Sequence, residues 1–181
     1  MTTVVARRVI KKGKTKGVVL AADTQVTSGY TKYPGIEKVF HVSPEVIIGC
    51  AGRVRVLNVL RHGLKVPKWN DKATQDPERW VVTKLVPAMQ KSLSEAKALG
   101  EKAGWNDNEG RFIIVVPNFM CAIGPDFGVD QTEDEYIVIG SGDDVALGAL
   151  YGGASAVQAV AAASQYDLYT GSDIMEMEVK W

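Results

Sequence analysis

The chain has 181 residues, 46% of them hydrophobic, and its 21 Lys plus Arg balance its 21 Asp plus Glu. The length is most simply one domain, residues 1–181, and a formal charge of zero gives no electrostatic reason to expect nucleic acid or an anionic membrane as partner. Cys50, Cys121, His41 and His62 lack zinc-ligand or disulfide-framework spacing, no apolar run approaches the roughly 20 residues of a membrane span, and no signal-peptide core follows Met1, so the expected location is the cytoplasm.

Thr2 to Ile10 is rich in β-branched residues and reads as a strand. Lys11 to Lys16 is a basic turn, and Gly17 to Asp23 is a second, almost wholly apolar strand that pairs with the first and is buried on both faces. Thr24 to Gly35 reads as a loop or weak edge strand. Lys38–Val42 and Val46–Cys50 are strands around a Ser43-Pro44 turn. Ala51-Gly52 then opens a helix carrying Val54, Leu57, Leu60 and Leu64 at helical spacing. Asp76 and Pro77 are N-cap and first residue of another helix, which runs on to Leu99 with Pro87 as a kink or a junction. Arg111–Val116, Phe119–Ile123 and Tyr136–Ile139 are strands. Asp144–Tyr151 and Ser155–Gln165 are helices, and Ile174–Val179 is a closing strand. The stretch from Lys65 to Arg111 is placed only as helix. Strict β-α alternation is absent, so two mostly antiparallel sheets with helix pairs outside fit better than a doubly wound parallel sheet.

Several features bear on chemistry, and each alone has an ordinary structural explanation. Removal of Met1 would leave Thr2 with a hydroxyl and a free α-amine of pKa about 7.7–8.0, nucleophile and base on one residue. Asp23 ends a buried strand, where Asp is commonly a turn residue. Lys38 begins an apolar strand, where an inward lysine needs a partner. Pointing inward together, the two form a buried pair, and a cation beside the nucleophile lowers proton affinities around it. Cys50-Ala51-Gly52 joins a strand to a helix, where backbone amides suit an oxyanion. Gly140-Ser141-Gly142 is a similar turn, but it lacks the P-loop lysine and is followed by Asp143-Asp144. Asp167 and Thr170 follow a helix that Gly171 stops. Asp126-Phe127-Gly128 resembles a kinase tripeptide without the rest of the kinase signature and reads as a hairpin turn.

Thr2, Ala22 to Gly29, Lys38, Ala51-Gly52, Ile139 to Gly142 and Asp167 to Gly171 together resemble, in order and spacing, the proteasome β-subunit family. The Met-Thr-Thr start, the short N-terminus and the length are most similar to its bacterial HslV type. The resemblance implies an α+β fold, a four-layer αββα sandwich of two mostly antiparallel sheets, characteristic of N-terminal-nucleophile hydrolases. It implies a threonine-type endopeptidase acting on unfolded polypeptide in a closed chamber. Thr2 corresponds to the nucleophile, Asp23 and Lys38 to the pair that tunes it, and Gly52 to the oxyanion donor. Ser141, Asp167 and Thr170 correspond to the set around the terminal amine. Thr27 corresponds to the residue whose backbone pairs with extended substrate, and Val26, Ile36, Phe40, Cys50 and Val54 to an apolar pocket. No cofactor is required, although carbonyls of Ser164, Asp167 and Thr170 correspond to a sodium or magnesium site.

The implied assembly is a homo-oligomer of stacked rings, six or seven copies each, with a ring-shaped ATPase unfoldase as candidate partner. Arg53 and Arg55 depart from the small residues common after this glycine and put the pocket's charge in question. No propeptide precedes Thr2, so activation is expected to need only methionine removal. The competing readings are a non-catalytic ring subunit and a small-molecule amide hydrolase of the same fold.

Overall fold

The computed structural model describes residues 2–102, 105–107 and 110–181; Met1, whose removal the expected chemistry requires, lies outside them. β1 (Thr3–Lys11) and β2 (Lys14–Asp23) form the expected hairpin, with Lys12 and Gly13 at φ 53° and 70° making the tight turn. β3 (Val26–Ser28) and β4 (Thr31–Tyr33) pair as a small hairpin where the sequence suggested a loop or edge. β5 (Val39–Ser43) and β6 (Val46–Gly52) follow. α1 (Val54–Gly63) starts later than expected, because Ala51 and Gly52 stay in the ladder opposite Arg111 and Gly110, and Arg53 is the N-cap.

The helical stretch is broken into α2 (Asp71–Gln75), α3 (Pro77–Trp80), a π-helical turn at Val81–Leu85, and α4 (Val86–Glu95). Asp76 caps α3 as expected, its carboxylate accepting the Arg79 amide at 3.0 Å. Pro87 has no N–H for a normal turn, and the widened ladder, with the Val86 amide on the Val81 carbonyl, lies directly before it. α4 ends short of Leu99. Lys97, at φ 51°, turns the chain, and the Ala98 amide bonds back to the Leu93 carbonyl at 2.8 Å, a Schellman-type stop without glycine. β7 (Gly100–Lys102) and β8 (Trp105–Asp107) are strands inside the region the sequence placed only as helix.

β9 (Gly110–Val116), β10 (Phe119–Ile123), β11 (Val129–Gln131) and β12 (Tyr136–Gly140) come next. The Asp126-Phe127-Gly128 segment is the expected turn, between β10 and β11. α5 (Asp143–Tyr151), α6 (Ala156–Tyr166) and β13 (Ile174–Lys180) complete the chain. Ser155 and Gln158 form a capping box on α6.

One sheet runs β12-β1-β2-β13 and the other β11-β10-β9-β6-β5, every pairing antiparallel. Side chains alternate across both sheets. Val4, Ala6, Leu20, Ala51, Ile113, Val115 and Ile139 fill the layer between them. Val5 and Ala21 pack outward on α5 and α6. Ile48, Cys50, Phe112 and Ile114 pack outward on α1, α3 and α4, with Trp80 in that core. This is the four-layer αββα sandwich, and it explains why β1, β2, β6 and β9 are apolar on both faces. Among the described residues no helix is long and apolar enough to cross a membrane.

Candidate active site

Thr2 precedes β1 at one end of the sandwich and is 1% exposed. Its hydroxyl donates to Asp23 and accepts from the Lys38 ammonium. Lys38 places its remaining donors on Asp23 Oδ2 at 2.9 Å and the Gln25 carbonyl at 2.6 Å, so each N–H of the ammonium has an acceptor. Asp23, fully buried, also accepts the amides of Thr3, Gln25 and Gly171, each at 3.0 Å. Those amides and the Lys38 charge are what make an ionised carboxylate tolerable there. Burial is the largest influence on Lys38 and pulls its pKa below the usual lysine value, the Asp23 carboxylate opposing it.

A second network holds the end of the strand. The Ser141 amide donates to the Thr2 carbonyl at 2.8 Å, and the Ser141 hydroxyl to Asp167 Oδ2 at 2.6 Å. Thr170 donates to the same oxygen at 2.6 Å, and its hydroxyl is 2.6 Å from that of Thr3. Burial pushes the Asp167 carboxyl up, but hydrogen bonds from Ser141, Thr170 and the Tyr169 amide outweigh it and hold the pKa below the usual value. Gly140 is indispensable to this packing. Its φ is 116°, and a Cβ there would run into the Thr2 carbonyl.

Beside Thr2 opens a cavity of about 400 Å³ lined by Gln25, Val26, Thr27, Ile36, Lys38, Cys50, Gly52, Arg53, Val54 and Leu57. Val26, Thr27, Ile36, Cys50 and Val54 all line this cavity. Phe40 is not in the wall. It lies one pleat beyond Lys38 on the same strand face, 4% exposed, with the Arg61 guanidinium 5.6 Å over its ring. Arg53 lines the cavity, whereas Arg55 turns away to the Ala96 carbonyl. Burial pushes the Cys50 thiol up to about 12, so it is a packing group near neutral pH. Gly52, at φ 144°, ends β6 with its backbone at the cavity edge, not on the first turn of a helix.

Thr3, Gln25 and Gly171 were not anticipated. Gln25 ties the Asp23 network to the β3 strand and to the loop after α6, its side-chain nitrogen Nε2 reaching Thr27 Oγ1 and the Leu168 carbonyl, each at 3.2 Å. Its signal was proximity, since any residue two beyond a buried Asp can return its amide. At the α6 end, the Ser164 hydroxyl turns back to Ala161 at 2.8 Å and the Asp167 carbonyl accepts the Thr170 amide at 3.2 Å. The Ser164, Asp167 and Thr170 carbonyls are hard oxygen donors of the type sodium or magnesium takes, with one lone pair already engaged. Among the described residues no three His, Cys, Asp or Glu side chains form a metal-binding group.

The family model described as proteasome subunit matches residues 3–76. In structure the chain is similar to Thiobacillus denitrificans BPH, solved alone and in complex with epoxomicin, at TM-score 0.77 and 19% identity, over 99% of this chain and 98% of that one. It is also similar to eukaryotic HslV from Trypanosoma brucei, at TM-score 0.67 and 21% identity, over 99% of this chain and 100% of that one. The chain has the proteasome-subunit fold. Over residues 3–76 it matches the proteasome subunit family in sequence as well, and that segment contains Asp23, Lys38 and Gly52. No curated protein matches the sequence.

Proposed function

We propose that this proteasome-type chain is a threonine-type endopeptidase with Thr2 as N-terminal nucleophile. The observation that carries the reading is the buried contact of the Thr2 hydroxyl with both Asp23 and Lys38 beside the cavity. With Met1 removed, the Thr2 α-amine takes the hydroxyl proton, directly or through a water. Thr2 Oγ1 attacks the substrate carbonyl while the Lys38 ammonium stabilises the developing alkoxide. The Gly52 amide stabilises the tetrahedral oxyanion. The C–N bond breaks as the amine proton passes to the leaving nitrogen, leaving an ester on Thr2. Water, deprotonated by the same amine, hydrolyses that ester and regenerates the hydroxyl.

Extended substrate pairs with the Thr27 backbone at the exposed hairpin and places an apolar side chain in the cavity. A sodium or magnesium ion on the Ser164, Asp167 and Thr170 carbonyls would stiffen the loop that carries Asp167; no proton passes through it. Rings of the chain would enclose Thr2 and restrict access to unfolded polypeptide, with an ATPase unfoldase as feeder and the cytoplasm as setting. A non-catalytic subunit would have no use for three polar groups desolvated around one hydroxyl. A small-molecule amidase would need a more enclosed pocket.

The experiment compares Thr2→Ala and Thr2→Ser on quenched fluorescent peptides, with light scattering after size exclusion. Loss of turnover with Ala, partial retention with Ser and a multi-subunit mass support the reading. Undiminished turnover by Thr2→Ala would overturn it.

A further inference from the structure

Inner-face residues of β9 alternate toward the Thr2 end of the sandwich. Ile113 and Val115 lie between the sheets, and Arg111 is the next position on that face, opposite Ala51 of β6. Arg111 is the only charged residue of that row, and it stands at the mouth between the layers. Its guanidinium is 3.8 Å from Asp143 at the start of α5, with side-chain exposures of 58% and 29%. The pair therefore ties β9 of one sheet to the start of α5, two residues past Ser141.

The layering tells which side of Thr2 this is. β2 lies over β5, β1 over β6, and β12 over β9. The cavity is walled by residues before β5, at the end of β6 and at the start of α1. Arg111, on β9, is across β6 from it. A peptide that sets its acyl residue in the cavity, with its carbonyl at Thr2, must pass its leaving segment toward β9 and β12. That reasoning rests on the function proposed above.

We propose that Arg111 is a specificity residue for the leaving segment and favours an acidic side chain directly after the cut. Arg111 is the member of its pair with donors to spare. A guanidinium has five N–H groups, and among the described residues its ion-pair partner is Asp143 alone, at a loose distance. Asp143 is committed: it also accepts the Asp144 amide at 3.0 Å and sits at the positive end of α5. Asp144, the next residue of α5, is exposed. A glutamate in the leaving segment offers the bidentate acceptor that the 3.8 Å contact leaves unmade.

The test uses quenched peptides identical up to the cut, with Glu, Gln or Lys directly after it, and mass spectrometry to fix the cleaved bond. For the unsubstituted protein kcat/KM should rank Glu over Gln over Lys, each step about two- to fivefold, the size of an exposed ion pair. Arg111→Gln should erase the ranking, Arg111→Lys should keep its direction, and Asp143→Asn should widen it by freeing the guanidinium. A strut that merely pins α5 predicts a lowered melting midpoint and equal loss on all three peptides for both Arg111→Gln and Asp143→Asn. Equal loss, or a ranking that Arg111→Gln leaves unchanged, or Lys preferred over Glu, would overturn the proposal while the Thr2 chemistry stands. Absence of any cleavage by the unsubstituted protein would overturn both.

Discussion

Lys38→Ala removes the charge that faces Asp23 and the Thr2 hydroxyl at once. Breaking a buried ion pair from one side costs about 3–5 kcal/mol, because the remaining charge is stranded. Asp23 keeps the amides of Thr3, Gln25 and Gly171, so the lower end, about 3 kcal/mol, is expected. A chain of this size loses about 2–4 °C of melting midpoint per kcal/mol, so the shift should be about 6–12 °C. Domains have about 5–15 kcal/mol to lose, so the variant should still fold. Peptide hydrolysis should nevertheless fall to background, since among the described residues Lys38 is the cationic side chain hydrogen-bonded to Thr2 Oγ1. Thermal unfolding followed by circular dichroism, beside single-turnover peptide cleavage, separates the two effects. Cleavage within a few-fold of the parent, with the midpoint unmoved, would refute the reasoning.

Gly140→Ala should cost about 1–3 kcal/mol from backbone strain and more from the collision with the Thr2 carbonyl; urea titration measures the loss, and peptide turnover should fall with it. Asp167 has a depressed pKa, so the stability it contributes is present above its unfolded value of 3.8 and is lost as pH falls through the lower folded value. Melting midpoints between about pH 4 and pH 2 should therefore drop less steeply for Asp167→Asn than for the parent. Val26, Ile36, Cys50 and Val54 make the cavity wall chiefly apolar, so cleavage after Leu, Tyr or Phe should exceed cleavage after Asp or Arg. A fluorogenic panel cut fastest after Asp would show instead that Arg53 governs the pocket.

Much of the fold was legible because strands and helices come in blocks instead of strict alternation, and because Gly17 to Asp23 is apolar on both faces, which happens where a sheet is covered twice. Thr2, Asp23 and Lys38, each with an ordinary explanation alone, were legible as a set through the order and spacing that resemble the proteasome β-subunit family, and in the structure they bond to one another. Gly171 and Thr3 were not, because what they contribute to Asp23 is a backbone amide, which every residue but proline has. Phe40 lies one pleat beyond Lys38, packed in the core beneath α1 and outside the cavity wall. The start of α1 was set too early because Gly52 reads as a helix entry, whereas pairing with Gly110, distant in sequence, keeps it in β6. The end of α4 was hidden because a lysine, not a glycine, takes the left-handed turn at position 97.

The central claim is that the Thr2 hydroxyl attacks the substrate with its own amine as base. Intact-mass and fragment analysis of an actively hydrolysing preparation, quenched during turnover of a slow ester substrate, tests it most directly. The account predicts a chain beginning at Thr2 and an acyl adduct located on that residue. Full retention of Met1 in a preparation of undiminished activity, or an adduct on any other residue, would contradict it.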